Sequence, residues 1–288
     1  NWTYLFESHR VGQVRPGRTY RITAMKKATS RSPIKEPLLR LPGQSIDEQI
    51  DRLFNEKLLN YFLFALAFFL FAAVAWIQVL TRSPLNPWLM SIVAVPVIAY
   101  CGFRFWQALK EIKRLRLGRD GERAVAEQLD VLKQQSAIVF HDLIGDGFNL
   151  DHVVLSNRGI FVVETKTHSK PVKGSPPVTF DGKTLLVNGF EPERNPITQA
   201  QGNAKWLDEM LRASTGKEFP IRPVVLFPGW FVDPFPKGSS VWVLNPKNLP
   251  SFIQHEPTRI NETDLHMAAF HLARYIKAHA QGFGPKTP

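Results

Sequence analysis

The apolar positions of this chain change rhythm as it proceeds. Residues 58–81 form 24 consecutive positions without a charge, dense in Phe, Leu and Ala. After Arg82, residues 83–103 add 21 more uncharged positions. Each run is long enough for a helix to cross a bilayer. Pro96 in mid-run is tolerated there, and Trp88 and Tyr100 fall at interface-like positions. The pattern predicts a transmembrane helical hairpin over 58–106, with a buried hairpin in a soluble core as the alternative. A cleavable signal peptide fits worse, because the first apolar run begins only at residue 58.

Beyond the hairpin the period shortens and mixes. Residues 107–117 read as a basic helical extension, either a connector or a contact with anionic headgroups. Gly118-Arg119-Asp120-Gly121-Glu122 then opens a new helix, with Val125, Leu129 and Leu132 spaced i, i+4, i+7. Strand-like runs follow at 137–143, 150–156 and 159–166. The last two flank Asn157-Arg158-Gly159, a tight turn that pairs them as a hairpin. Residues 171–189 are irregular, with a small hairpin at Asp181-Gly182. Asn195-Pro196 starts a helix, with Asn as cap and Pro in the first turn. Its stripe is Ile197, Ala200, Ala204, Leu207 and Leu211, and Gln199, Gln201 and Asn203 sit in its first two turns. Strands at 224–227 and 241–244 and a closing helix at 263–280 complete an αβββαβ order with an added strand and helix.

Residues 1–57 read as a polar, basic and largely disordered arm. Within it, 45–54 has helical spacing at Ile46, Ile50, Leu53 and Phe54, an amphipathic lead-in lying on the membrane. Met25-Lys26-Lys27 reads as a natural start, which makes residues 1–24 an upstream addition.

Charge placement refines this picture. The formal net charge of +11 is concentrated at 1–57, with net +5, and 104–117, with net +4. Residues 118–288 carry only net +1, so the high pI is no argument for nucleic acid. Lys166, Lys170, Lys173, Arg194 and Lys205 remain as cations able to build a local basic groove. Cations on both outer flanks predict both termini in the cytoplasm, and a bacterial inner membrane is the expected location. The lone Cys101 excludes an internal disulfide framework. Gly-x-x-x-x-Gly-Lys-Ser/Thr, Gly-x-Ser-x-Gly and Gly-x-Gly-x-x-Gly motifs are missing, which argues against ATPase, serine hydrolase and dinucleotide enzymes.

The candidate chemistry lies at the open end of the central hairpin. Antiparallel pairing sets Asp151 opposite the segment holding Glu164 and Lys166, and strand alternation points those two the same way. Two carboxylates and an ammonium suit metal-assisted hydrolysis: the acids bind a hard divalent ion, and the lysine orients water or stabilises an oxyanion. A solvated Glu–Lys ion pair beside a turn aspartate is the alternative. Glu122 falls on or beside the buried face of its helix and needs a partner there, unless it only complements the helix dipole. His152 points to the face opposite Asp151, as a core histidine.

Gly118-x-x-Gly121-Glu122, Asp151-His152-Val-Val, Gly159-Ile-Phe-Val-Val-Glu164-Thr-Lys166 and Asn195-Pro196-x-x-Gln199, in this order, resemble the nuclease-related domain (NERD). That family is placed in the PD-(D/E)xK nuclease superfamily, and the resemblance covers roughly residues 115–250. It implies an α/β restriction-endonuclease-like αβββαβ core behind the transmembrane hairpin. It also implies a Mg²⁺ (or Mn²⁺) site held by Glu122, Asp151 and Glu164. Lys166 would position the nucleophilic water, and Gln199 would support the site. The expected activity is phosphodiester hydrolysis of DNA on the cytoplasmic side, with the bilayer and a second copy of the chain as further partners. A tethered, non-catalytic binding module on the same fold is the alternative. The expected organisation is arm 1–57, hairpin 58–106, connector 107–117, nuclease-related domain 118–250, and C-terminal helix and tail 251–288.

Overall fold

A computed structural model describes residues 39–80, 87–145, 147–170, 174 and 177–279. Helix α1 (Gln44–Arg52) continues through a π-helical turn (Leu53–Leu58) into α2 (Leu59–Leu80). Helix α3 (Pro87–Lys133) is 47 residues long, about 70 Å at 1.5 Å per residue. Both long helices are apolar enough to cross a membrane, and only 6% and 11% of their apolar windows are buried. A hairpin inside a soluble core would be covered. Phe64, Phe69, Ile92 and Val95 are instead more than half exposed.

Three expectations change here. Residues 1–38, with the start expected at Met25, lie outside the described residues, but from residue 39 the supposed arm is ordered. The apolar stripe of the lead-in is only partly free for a membrane, Phe54 being 56% exposed. Ile50, Leu53 and Leu58 pack with Ala108 and Ile112 of α3, which bury them more completely than a headgroup surface would. Nor does a new helix open at Gly118, because α3 runs unbroken from the apolar span through the basic connector to Lys133. Gly118 and Gly121 should each cost such a helix roughly 1 kcal/mol relative to Ala. At Gly121 the reason is steric: a Cβ there would stand 1.7 Å from Thr167 Oγ1 and 2.8 Å from Thr167 Cβ. The glycine lets the helix backbone press against the chain just beyond Lys166.

Strands β1 (Ile138–Ile144), β2 (Asn149–Ser156), β3 (Gly159–Thr165), β6 (Ile221–Leu226) and β7 (Trp242–Leu244) form one sheet in the order β1-β2-β3-β6-β7. The first three are antiparallel, and β3–β6 and β6–β7 are parallel. Between β3 and helix α4 (Pro196–Thr215) stands the small hairpin of β4 (Val178–Phe180) and β5 (Leu185–Val187), as expected around Asp181-Gly182. Helices α5 (Leu249–His255) and α6 (Glu262–His279) close the chain. Every residue of β3 is buried, as its apolar run requires when both faces of a sheet are covered.

One face carries Phe140, Val153, Leu155, Ile160 and Val162 against α4 and α6. The other carries Val154, Phe161, Val163, Val224 and Leu226 against Val125, Leu129 and Leu132 of α3 and Leu249 and Ile253 of α5. The mixed α/β core therefore has three layers. Helix α6, set apart with the tail by the sequence pattern, contributes Leu265, Leu272 and Ile276 to that core.

Candidate active site

The site forms where β2 and β3 leave the sheet. Their register runs from Ser156 opposite Gly159 to His152 opposite Val163. Carried one step outward, it sets Asp151 across from Glu164. Glu164 shares the face of Ile160 and Val162, on which α4 packs. Asp151 Oδ2 accepts the Thr165 backbone N–H at 2.6 Å, which locks the two strand ends together. Lys166 Nζ reaches Glu164 Oε1 at 2.7 Å and donates to Gln199 Oε1 at 2.9 Å. Gln199 is held there because Asn195 caps α4, its side chain accepting the Ile197 N–H at 2.9 Å. One turn after Gln199, Asn203 Nδ2 donates to Glu164 Oε2 at 3.2 Å. The sequence pattern placed Asn203 in these turns without a role, although its i, i+4 spacing from Gln199 was the available signal.

Glu122 arrives from α3, the helix on the opposite face, and is only 6% exposed. Its carboxylate accepts the backbone N–H of Gly43, while its Oε2 is buried with no hydrogen-bond partner among the described residues. Burial, then the charges of Asp142 and Glu164, push the Glu122 carboxyl up to about 8. Asp151 is raised well above the ordinary carboxylate range by burial and by the charges of Glu164 and Glu122. Burial also raises Glu164, with Lys166 opposing it. Acids from both faces of the sheet thus lie near enough to one another at the end of β3 to feel each other's charge, with little solvation. All five residues singled out in the sequence share this neighbourhood.

Two groups near the site had no expected part in it. Asp142 stands in β1 with φ 53° and is fully buried. It accepts from Arg40 Nε at 2.5 Å, the Ser45 N–H at 3.0 Å, Ser45 Oγ at 2.6 Å and Asn149 Nδ2 at 2.6 Å. Arg40 and Ser45 lie 102 and 97 residues upstream of Asp142, and Gly43 lies far upstream of Glu122 too, so no local spacing could reveal them. His152 is a core histidine as expected, buried beside His141 with the Nδ1 atoms 2.8 Å apart. Burial keeps both neutral at neutral pH, with His141 lowered to about 4.

The cations able to build a local groove are gathered only in part. Lys166 and Arg194 line one cleft, Lys170 stands over the Trp230 ring at 5.8 Å, and exposed Lys205 lies 3.9 Å from Glu209. Lys173 lies outside the described residues.

The mixed α/β domain carries acids and a lysine at the end of its central hairpin. Residues 117–228 match the NERD family, the nuclease-related domain, and the chain carries that domain. The match begins within α3 and ends just beyond β6, and it contains Glu122, Asp151, Glu164, Lys166 and Gln199. An uncharacterized protein of Bacillus anthracis is 36% identical over 63 residues, 20% of this chain and 30% of that protein. The chain therefore spans under a third of that relative's length. No solved structure matches the chain.

The family suggests dependence on a divalent metal in general. Among the described residues, no three His, Cys, Asp or Glu groups are already gathered as an ion cage. The donor chemistry nevertheless fits a hard cation. Such an ion takes one or two carboxylates and fills its shell with water. The unpartnered Glu122 Oε2 and the desolvated Asp151 and Glu164 supply oxygen donors whose mutual repulsion an ion would relieve.

Proposed function

We propose that this protein is a membrane-anchored, metal-dependent nuclease that hydrolyses phosphodiester bonds of DNA on the cytoplasmic side. The observation carrying this reading is Lys166, whose ammonium bridges Glu164 and Gln199 beside Asp151. Asp151 and Glu164 would hold a Mg²⁺ or Mn²⁺ ion, with Glu122 adding a third carboxylate to the ion or its water. When bound, the ion supplies Lewis-acid polarisation and a more acidic water. The chain's own groups do the rest. Lys166 Nζ orients the attacking water and stabilises negative charge growing on the phosphoryl oxygens. Gln199 keeps that ammonium aimed, and Asn203 fixes the carboxylate beside it. Glu122 Oε2 would accept the proton that water loses as its oxygen bonds phosphorus and the bridging P–O bond breaks, the departing oxygen keeping that bond's electrons and taking a proton from solvent. The exposed apolar surfaces of α2 and α3 support insertion of the hairpin in a bilayer, and the cationic flanks support cytoplasmic termini.

Full-length protein in detergent, incubated with supercoiled plasmid and Mg²⁺, provides the test. Nicking that stops with chelator and in Asp151→Asn and Lys166→Ala is expected. Nicking that survives both substitutions overturns the assignment of these residues. A second reading, a tethered module that holds nucleic acid without cutting it, draws support from the Lys166–Glu164 pair. That ammonium already neutralises a carboxylate an ion would need. Salt-sensitive DNA binding without nicking at any divalent ion would favour it.

A further inference from the structure

Strand β5 ends in a turn that presents a bare aromatic ring. Val187 and Phe190 exchange backbone hydrogen bonds of 2.8 and 3.1 Å, and Asn188 and Gly189 between them take φ of 56° and 80°. Positive φ at both central residues is the geometry of a tight type I′ turn, so Phe190 is held rigidly. It is 73% exposed, and nothing in the hairpin core covers it. Between Phe190 and Lys166 lies a cleft of about 580 Å³, walled also by His168, Trp230 and Arg194.

The character of this cleft is unlike that of a phosphate site. Lys166 and Arg194 are matched there by Glu191 and Glu193, so it carries little net charge. Its walls are flat rings: His168 stacks on Phe227 with 6.0 Å between centroids, and the Trp230 indole donates to the His168 carbonyl at 3.2 Å. Burial and the nearby Lys166 charge lower the proton affinity of His168, which keeps its imidazole neutral. Rings, balanced charges and mixed donors and acceptors suit a flat, uncharged, hydrogen-bonding group. The one such group that accompanies a phosphodiester is a nucleobase.

We propose that this cleft receives one unpaired nucleobase, stacked on Phe190, beside the phosphodiester presented to Lys166. The proposal rests on the nucleic-acid reading above and narrows it to single-stranded or frayed DNA, because a base within a duplex has neither face free. Aromatic stacking of this kind tolerates any base, so little sequence preference accompanies it.

Full-length protein in detergent with chelator, titrated with a fluorescent single-stranded oligodeoxynucleotide and with a blunt hairpin duplex, tests it. Phe190→Ala should weaken single-strand binding about tenfold and leave duplex binding within about twofold, and Phe190→Trp should restore the single-strand affinity. Equal losses on both probes, or no loss on either, overturn the base site. Wild-type binding to the duplex alone also overturns the base site while leaving the nucleic-acid reading intact. Binding to neither probe at low salt overturns that reading, and the base site with it.

Discussion

Arg40 and Asp142, separated by 102 residues, form an ion pair of 2.5 Å with side chains only 4% and 0% exposed. The pair fastens the segment before the first long helix onto the sheet, next to the Gly43–Glu122 contact. Removing one member of a buried pair strands the other charge. Arg40→Ala should therefore destabilise the protein by about 3–5 kcal/mol. Chemical denaturation followed by tryptophan fluorescence reads this directly, and a shift below about 1 kcal/mol would show that the pair is not buried in solution.

Gly121 faces Thr167 across the joint between α3 and the end of β3. In an exposed helix, Gly→Ala stabilises by up to about 1 kcal/mol. Here the added methyl meets Thr167, so Gly121→Ala should instead cost about 1–3 kcal/mol through overpacking. Thr167→Gly in the same chain should recover most of that loss. A stabilised single variant in thermal melts would contradict the close approach.

Lys166 and Gln199 differ in how directly they act. Lys166→Ala should lower the plasmid nicking rate by about 10²–10³-fold, the usual cost of losing a charge-stabilising donor. Gln199→Ala, which frees the ammonium without removing it, should cost about tenfold, with Gln199→Glu intermediate. Initial rates at saturating Mg²⁺ separate the two, and equal losses would mean that Gln199 touches the substrate itself.

Glu122 gives the metal-free protein a characteristic pH response. Its carboxyl ionises at about 8 when folded, against 4.5 for an unperturbed glutamate. A folded-state pKa raised above the unfolded one contributes stability that is complete below about 4.5 and is lost as pH rises through about 8. Melting temperature of the metal-free chain should fall between about pH 5 and about pH 9, by several degrees. Glu122→Gln should flatten the slope, and Mg²⁺ should raise melting most at the alkaline end. An unchanged slope in the variant would assign the pH response to other groups.

Much of this site was legible because its chemistry is local. Glu164 and Lys166 share a face by strand alternation, and a two-residue turn delivers Asp151 opposite them whatever surrounds the hairpin. Gln199 follows from the Asn195-Pro196 helix start. Asn203 was within reach of the same spacing. Gly121 was visible as a motif, but its meaning was not: a glycine in a helix looks like a break until the residue it must approach is known. The packing of the lead-in helix was open for a related reason. Its apolar stripe records that Ile50 and Leu53 must be buried, and not whether lipid or α3 buries them.

Periodicity, turn chemistry and unbroken apolar length belong to neighbouring residues, so the chain by itself determined the two apolar helical runs, the central hairpin and the placing of its acids and lysine. Contacts across about 100 residues obey no spacing, since their closure depends on how every intervening element packs. The docking of Arg40 and Ser45 on Asp142, the Gly43 N–H on Glu122, and the meeting of acids from opposite faces of one sheet were decided by tertiary structure alone.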